Sequence, residues 1–150
     1  SKDAFVAELI KAYSLDLIQQ IRRFFEQEGA HMNALERLKA ITQYSLYKYE
    51  NLAFKHSCLI ATLSADIDES NTLCQTALNQ SVQDCLLEFS KLFETAQQEK
   101  SLRDDIEALA LAKLYWTSWQ GVLLRMRVSK NRQEAEENMF LLLDTLFIKN

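Results

Sequence analysis

The chain has 150 residues, of which 48% are apolar and 25% charged, with two glycines, no proline and a net charge of −4. This length is typical of one domain, and the composition excludes intrinsic disorder and collagen-like structure. Because a sheet protein needs many tight turns, which draw on glycine and proline, the sequence predicts an all-α fold. An acidic chain without a dense basic stripe is also a poor candidate for holding nucleic acid through its own phosphate contacts.

The first half of the chain contains three predicted helices. Apolar residues at three-to-four spacing predict the first from near Asp3 to about Glu28, with Gly29 closing it in a left-handed turn. Asn33 and Glu36 are spaced as a capping box for the second helix, which is interrupted at residues 55–57. A short apolar helix then runs from Cys58 to about Ile67. Because the first helix begins almost at Ser1, we expect either a fragment of a longer protein or a serine exposed by removal of Met.

The second half contains three longer predicted helices, over residues 71–98, 106–128 and about 132–147. A polar connection at residues 101–105 ends in acidic N-cap candidates for the fifth helix. One stripe of the fourth helix is predicted to be buried: Leu78, Ser81, Cys85, Phe89, Leu92 and Ala96. With no repeat or linker, the pattern predicts one domain over residues 1–150.

The last two helices are apolar on more sides than docking onto one domain requires. Residues 139–143 are all apolar, and the fifth helix carries a long apolar seam. A helix that is apolar on several sides must be covered twice, and a second copy related by two-fold symmetry would supply that cover as a four-helix interface. The alternative is that both helices are central in a monomer core. The predicted interface residues are Leu123, Met126, Met139, Leu142, Leu143 and Leu146.

Several segments together resemble the TetR/AcrR-type transcriptional regulators. Residues 1–5 resemble the segment that follows the helix-turn-helix of that family. Residues 58–66 resemble the Gly-Cys-Leu motif that opens its short sixth helix, with Ser57 replacing the common glycine, and residues 119–124 resemble the stretch around the glycine of its eighth helix. The resemblance covers essentially the whole chain as the ligand-binding and dimerisation half of such a protein. It implies a DNA-binding helix-turn-helix domain upstream of Ser1, absent from this sequence.

The resemblance also implies an effector site inside the bundle, among the first, second, fourth and fifth helices. Such a site needs apolar walls and a few placed polar groups. The candidate ligand-binding residues are Tyr13, Tyr44, Phe89, Trp116, Trp119 and Gln120. For any one of these aromatics plain core packing is the more common role, but as a group they favour a flat or aromatic, largely uncharged effector whose binding lowers DNA affinity. Gly121, which is costly inside a helix, falls where the resemblance implies a close approach of helices near the pocket and the dimer seam.

Cys58 is a possible redox sensor. It lies shortly after His56 and at a predicted helix start, where a thiolate is stabilised. Some relatives sense electrophiles or oxidants at this position, with a nearby basic residue that Arg125 or Arg127 would supply here. Cys74 and Cys85 are eleven residues apart on one predicted helix, too far for a bond within it, and are expected in the core.

The sequence contains no catalytic, metal-ligand or phosphate-binding motif, so we predict no enzymatic activity and no cofactor. An odd number of cysteines, no signal-peptide pattern and no long apolar run favour a cytoplasmic protein with no membrane partner. The expected partners are a second copy of the chain, a small-molecule effector, and operator DNA through the missing domain only. Two alternatives are a small helical metal- or lipid-binding bundle and a dimerisation module without a pocket.

Overall fold

The computed structural model describes residues 1–55 and 58–149, and every regular element in these ranges is helical. The elements are α1 (Lys2–Gln27), α2 (Ala34–Asn51), α3 (Leu59–Asp66), α4 (Thr72–Gln98), α5 (Ala108–Ser129) and α6 (Arg132–Leu141). A π-helical segment, Leu142–Leu146, continues α6 toward the C-terminus. The predicted all-α, six-helix architecture is therefore confirmed for these ranges. The predictions for His56 and Ser57 lie outside the described residues.

The second helix begins as predicted, because the capping box is present. The side chain of Asn33 accepts a hydrogen bond from the Glu36 amide at 2.9 Å, and the Glu36 carboxylate accepts one from the Asn33 amide at 2.8 Å. Two amide donors that the helix itself cannot satisfy are thus paired by side chains. This cap fixes the start of α2, a helix that contributes one wall of the cavity described below.

The prediction for Gly29 is wrong, because no glycine in the described residues has a positive φ. A Cβ added at Gly29 would lie 3.1 Å from the carbonyl oxygen of Phe25 and 3.3 Å from Cγ of Arg37. The Arg37 guanidinium also donates to the Gly29 carbonyl at 3.0 Å. Glycine is therefore favoured here by close contact with the backbone of Phe25 in α1 and with the side chain of Arg37 in α2, and not by a left-handed turn.

The acidic caps predicted for the fifth helix are also wrong. The N-cap of α5 is Glu107, whose side chain makes no capping hydrogen bond. Asp105 instead pairs with Arg103, and Asp104 pairs with Lys149 near the C-terminus. Both carboxylates are therefore occupied by basic residues, and the Asp104–Lys149 pair joins the segment after Leu146 to the connection between α4 and α5.

The centre of the bundle is α4, which packs against α1, α2, α3 and α5. Its predicted stripe is confirmed, since all six residues of that stripe are buried. Cys74 and Cys85 are free and buried, as expected, and burial raises the pKa of the Cys85 thiol to about 11. Across the described ranges, none of the helices combines the length and apolar character that crossing a membrane requires.

An ion pair joins α1 to α4 at the edge of this core. Arg22 binds Glu88 through two nitrogens, with Nε–Oε1 at 2.8 Å and NH2–Oε2 at 2.9 Å. The hydrogen bond from Arg22 holds the pKa of the Glu88 carboxyl below its ordinary value of 4.5. Because the pKa is lower in the folded state, the pair stabilises the fold above pH 4.5, and this contribution is lost as the pH falls through the folded-state value.

We expect Glu88→Gln to reduce the acid sensitivity of folding. The variant should be modestly less stable than the wild type at neutral pH, and the difference should shrink as the pH falls below 4.5, where the wild-type carboxyl also loses its charge. Urea unfolding at neutral and acidic pH measures this difference. Glu94→Gln is the matched control, since Glu94 is exposed on the same helix and has no ion pair among the described residues. A Glu88→Gln difference that stays constant with pH would contradict the assignment.

Candidate functional site

A cavity of about 400 Å³ lies between α1, α2, α4 and α5, next to the start of α3. On α1 the lining residues Tyr13, Leu17 and Ile21 follow one another at intervals of four, so they share the helix face that borders the cavity. Seven aromatic side chains line the cavity: Tyr13, Tyr44, Tyr49, Phe89, Tyr115, Trp116 and Trp119. A volume of this size is in the range of small-molecule sites, which are apolar with a few polar groups.

Five of the six predicted ligand-binding residues line this cavity, namely Tyr13, Tyr44, Phe89, Trp116 and Trp119. Gln120 is half-buried on α5 but is not part of the lining. It follows Trp119 by one position, and one position turns a helix by roughly 100°, so the two side chains leave α5 in different directions. Contact of the five residues with an effector stays a prediction.

Several lining residues were missed by the sequence reasoning. Leu17 and Ile21 continue the spacing of Tyr13 along α1, and that signal would have found them. Ile41 and Tyr49 on α2 also line the cavity, and nothing in their apolar spacing separates a residue that faces a cavity from one that faces the core. Tyr115 on α5 lines the same cavity.

Three of the tyrosines in the wall, Tyr13, Tyr49 and Tyr115, are hydrogen-bonded within the protein. Thr42 donates to the Leu38 carbonyl at 2.6 Å, so Tyr115, at 2.8 Å from the same threonine hydroxyl, is the donor of that pair. Burial raises the pKa of Tyr115 to about 12. Burial also raises the pKa values of Tyr13 and Tyr49, whose side chains are hydrogen-bonded to each other. These tyrosines therefore stay neutral at physiological pH.

The indole of Trp116 differs from those hydroxyl groups. Its Nε1 is the single buried side-chain nitrogen or oxygen atom, among those of the described residues, that has no hydrogen-bond partner. The residue is 4% exposed, and its ring centroid lies 5.9 Å from that of Phe89. A buried N–H without a partner costs roughly 1–3 kcal/mol, which is uncommon in a folded protein.

The charged residues of the lining lie at its exposed edge. Asp16 on α1 and Lys48 on α2 are both exposed, and Gln20 connects them. The Gln20 amide donates to Asp16 at 2.5 Å and accepts a hydrogen bond from the Lys48 ammonium at 3.2 Å. No buried lining residue in the described ranges carries a charge at neutral pH, so the interior of the cavity is uncharged.

Cys58 is part of the cavity wall, directly before α3, and is 3% exposed. Of the two basic residues expected near it, Arg125 pairs with Glu134 of α6, with Nε–Oε1 at 3.6 Å. Arg127 is exposed in the last turn of α5. The sensor role of Cys58 stays a prediction.

Most of the predicted interface residues are buried inside one protomer. Leu123, Met126, Met139, Leu142 and Leu143 all belong to its hydrophobic core, whereas Leu146 is 51% exposed. The apolar seam of the fifth helix packs within the chain. The sequence could not predict this, because an apolar pattern does not distinguish a helix face that packs inside the protomer from one that packs against a second copy. The exposed apolar side chains of this end of the bundle are different ones: Leu114, Leu124, Val128, Leu141 and Leu146.

Gly121 lies on the exposed side of α5. A Cβ added there would meet no atom within 4 Å, so the close approach implied by the resemblance does not occur within the protomer. Helical spacing places Gly121 on the same face as Leu114 and Val128. Any packing reason for this glycine therefore lies outside a single copy of the chain.

The structure bears on the two alternative functions that the sequence left open. In the described part of the chain, no group of three or more His, Cys, Asp or Glu side chains is placed to hold a metal ion. The cavity disfavours a dimerisation module without a pocket. The fold and the site together define a helical ligand-binding domain with an aromatic, uncharged interior.

The comparisons with known proteins place this domain in a family. Residues 34–140 match the family model described as the tetracyclin repressor-like, C-terminal domain. The chain belongs to this family, which is one of transcriptional regulators and not of enzymes.

Proteins similar to the chain include one curated protein and two solved structures. It is 26% identical over 146 residues to the HTH-type transcriptional repressor DhaR of Mycobacterium sp. (strain GP1), covering 97% of this chain and 71% of that protein. The fold is similar to that of the regulatory protein TetR from Rhodobacter sphaeroides, with a TM-score of 0.83 at 22% identity over 99% of this chain and 77% of that one. Reduced NemR from E. coli gives a TM-score of 0.79 at 19% identity over 96% and 74% of the two chains.

Proposed function

We propose that this domain binds a small, mostly apolar effector in the aromatic cavity and that the bound effector lowers the affinity of a dimeric repressor for its operator DNA. The observation that carries the proposal is the cavity of about 400 Å³ with seven aromatic side chains in its wall. Family membership supports the regulatory role, and the curated relative is named a transcriptional repressor.

The route from cavity to DNA runs through α1 and α3. Five residues of α1 line the cavity, and Cys58 and Leu59 place the start of α3 against it. In this family the DNA-binding domain precedes α1, so a shift of α1 rotates that domain. Two recognition helices must be about 34–36 Å apart to meet successive major grooves, and a small rotation is enough to lose that spacing.

Such a switch requires that the effector binds two conformations of the repressor with different affinities. The effector must bind the DNA-free arrangement more tightly than the DNA-bound one, and DNA must weaken effector binding by the same factor. Modification of Cys58 belongs to the same proposal, because any group added to a thiol in the wall takes up space in the cavity.

The proposed homodimer uses the outer apolar side chains of α5 and of the C-terminal segment. Leu114, Leu124 and Val128 are exposed on α5, Leu141 is exposed at the end of α6, and Leu146 is exposed at the end of the π-helical segment. Large apolar side chains grouped on one side of a domain mark an interaction surface. Gly121, in the same surface, would allow the two α5 helices to approach closely.

Leu17→Trp tests whether the cavity is the binding site, because the larger ring would fill it from the α1 side. We expect the variant to lose at least tenfold in affinity for prodan, an uncharged fluorescent naphthalene ketone, while the far-ultraviolet circular dichroism stays unchanged. Leu15→Trp is the matched control, because Leu15 is 59% exposed on the same helix and outside the cavity lining. Equal prodan affinity in all three proteins would overturn the assignment of the site.

A further inference from the structure

The cavity is closed on its α4 and α5 side and opens between α1 and α2. Phe89 on α4 and Tyr115 and Trp116 on α5 are buried, so they close its inner side. The lining residues that are exposed, among those the structure describes, lie on α1, on α2 and at the start of α3: Asp16, Gln20, Tyr44, Lys48, Leu52 and Leu59. A molecule in solvent therefore meets the cavity at the seam between α1 and α2.

Side chains at the surface join the two helices across this seam. The Lys48 ammonium on α2 donates a hydrogen bond to the side-chain carbonyl of Gln20 on α1, with Nζ and Oε1 3.2 Å apart. One turn further along α1, the ring of Phe24 lies 5.0 Å from that of Tyr44 on α2 between centroids. None of these four side chains is fully buried, so the contacts can separate without disturbing the core of the bundle.

Gln20 is the centre of a polar bridge across the opening. Its side-chain amide donates to the carboxylate of Asp16, one turn earlier on α1, at 2.5 Å. Because the nitrogen and oxygen of an amide lie on opposite sides of one planar group, the bond to Asp16 leaves the carbonyl oxygen available to Lys48 of α2. All three residues of the bridge line the cavity, so the bridge spans its mouth.

We infer that the effector enters the cavity between α1 and α2, and that the hydrogen bond between Gln20 and Lys48 holds this entrance closed. The inference rests on the proposed function, because it takes the cavity as the effector site. A ring system can pass only when this bond is broken, since the bond joins the two helices across the mouth. Both partners are exposed and bond to water while the entrance is open, so the bond limits the rate of passage by a modest factor.

Gln20→Ala removes both hydrogen bonds of the bridge and leaves the aromatic interior in place. We expect the association and dissociation rate constants for prodan each to rise about two- to fivefold, because the entrance opens more often. The dissociation constant should change by less than twofold, since the bridge closes the entrance in the free and in the bound protein alike. Stopped-flow measurement of prodan fluorescence gives both rate constants.

Lys48→Met removes the same interhelical hydrogen bond from the α2 side, keeps a long side chain, and should reproduce the rates of Gln20→Ala. The matched control is Gln19→Ala, because Gln19 is exposed on α1 and lies outside the cavity lining. Its rate constants should equal those of the wild type.

A cross-link across the seam should have the opposite effect. Gln20→Cys combined with Lys48→Cys places two exposed thiols on facing helices, and a short bismaleimide joins them. We expect association of prodan to slow at least tenfold in the joined protein, because the two helices can no longer separate. Wild-type protein treated with the same reagent is the control, since its three cysteines are buried.

Each outcome separates this inference from the proposed function. Wild-type rate constants in both Gln20→Ala and Lys48→Met would overturn the closing role of the bridge, while prodan binding would still support the cavity. Unhindered association in the cross-linked protein would overturn the entrance between α1 and α2. A faster dissociation with unchanged association would assign Gln20 to contact with the bound molecule and overturn its role at the entrance. Failure of the wild-type protein to bind prodan would overturn the proposed function and this inference with it.

Discussion

Replacing both Leu124 and Val128 with glutamate should convert the proposed dimer into a monomer of 17.4 kDa. The two side chains are 45% and 75% exposed on α5, so they contribute little to the core of the protomer. In a dimer closed through this face, each substitution buries a charge without a partner, which costs roughly 3–5 kcal/mol and weakens association more than 100-fold. Glutamate is a good helix former, so α5 itself should remain intact.

Sedimentation velocity at micromolar concentration measures the outcome. The matched control is Leu87→Glu on α4, where the side chain is also exposed, at 56%, but lies outside the proposed interface. The control should sediment as the wild type does, and both variants should keep the helical circular dichroism signal. A double variant that stays dimeric would show that another face joins the copies, and a monomeric wild type would end the dimer proposal itself.

Phe89→Ala should lower the free energy of unfolding by about 3–5 kcal/mol, the usual effect of removing a large buried ring. Phe89 is 5% exposed and separates the cavity from the core, and its ring lies 5.2 Å from Tyr115 and 5.9 Å from Trp116 between centroids. Because the cavity lies beside it, few neighbouring side chains can move into the space that the ring leaves, and relaxation recovers little of the loss.

The midpoint of urea unfolding, measured at one fixed protein concentration, reports this loss. Leu87→Ala is the matched control on the same helix, since an exposed leucine there should change the stability by no more than about 0.5 kcal/mol. A Phe89→Ala variant that loses less than about 1 kcal/mol would contradict a supporting role for this ring. Weaker prodan binding by the surviving folded protein would connect the same ring to the effector site.

The local rules of helix formation predicted most of the fold. The apolar spacing placed all six helices, and the Asn33–Glu36 pair marked the start of α2 to the residue. The π-helical turn at Leu142–Leu146 had no sequence signal, because every residue there is compatible with an ordinary α-helix. Gly29 shows a second limit, since a Cβ there would also approach the side chain of Arg37 on the next helix, a contact that the sequence around Gly29 does not predict.

The candidate site was predicted less completely than the fold. The family resemblance led to Trp116 and Trp119, and both line the cavity. Periodicity cannot separate a residue that faces a cavity from one that faces the core, so Tyr115 and Ile41 were not among the candidates. The inner and outer faces of α5 were indistinguishable for the same reason, and Leu123 and Met126 are buried within one chain. Whether a residue faces the cavity, the core or the outside depends on which helices are neighbours, and the spacing of residues along one helix does not determine that.

The two sides of α2 make different contacts. Tyr44, Ser45 and Tyr49 line the cavity, while Tyr47 stacks against Arg132 of α6, with its ring centroid 4.0 Å from the guanidinium carbon. Arg132 also pairs with Glu50, at 3.2 Å, and with Glu136. Helix α2 is thus a wall of the cavity on one side and is held by α6 on the other. Mutations that move α2 to fit a different molecule in the cavity will therefore also disturb its stacking and ion pairing with α6.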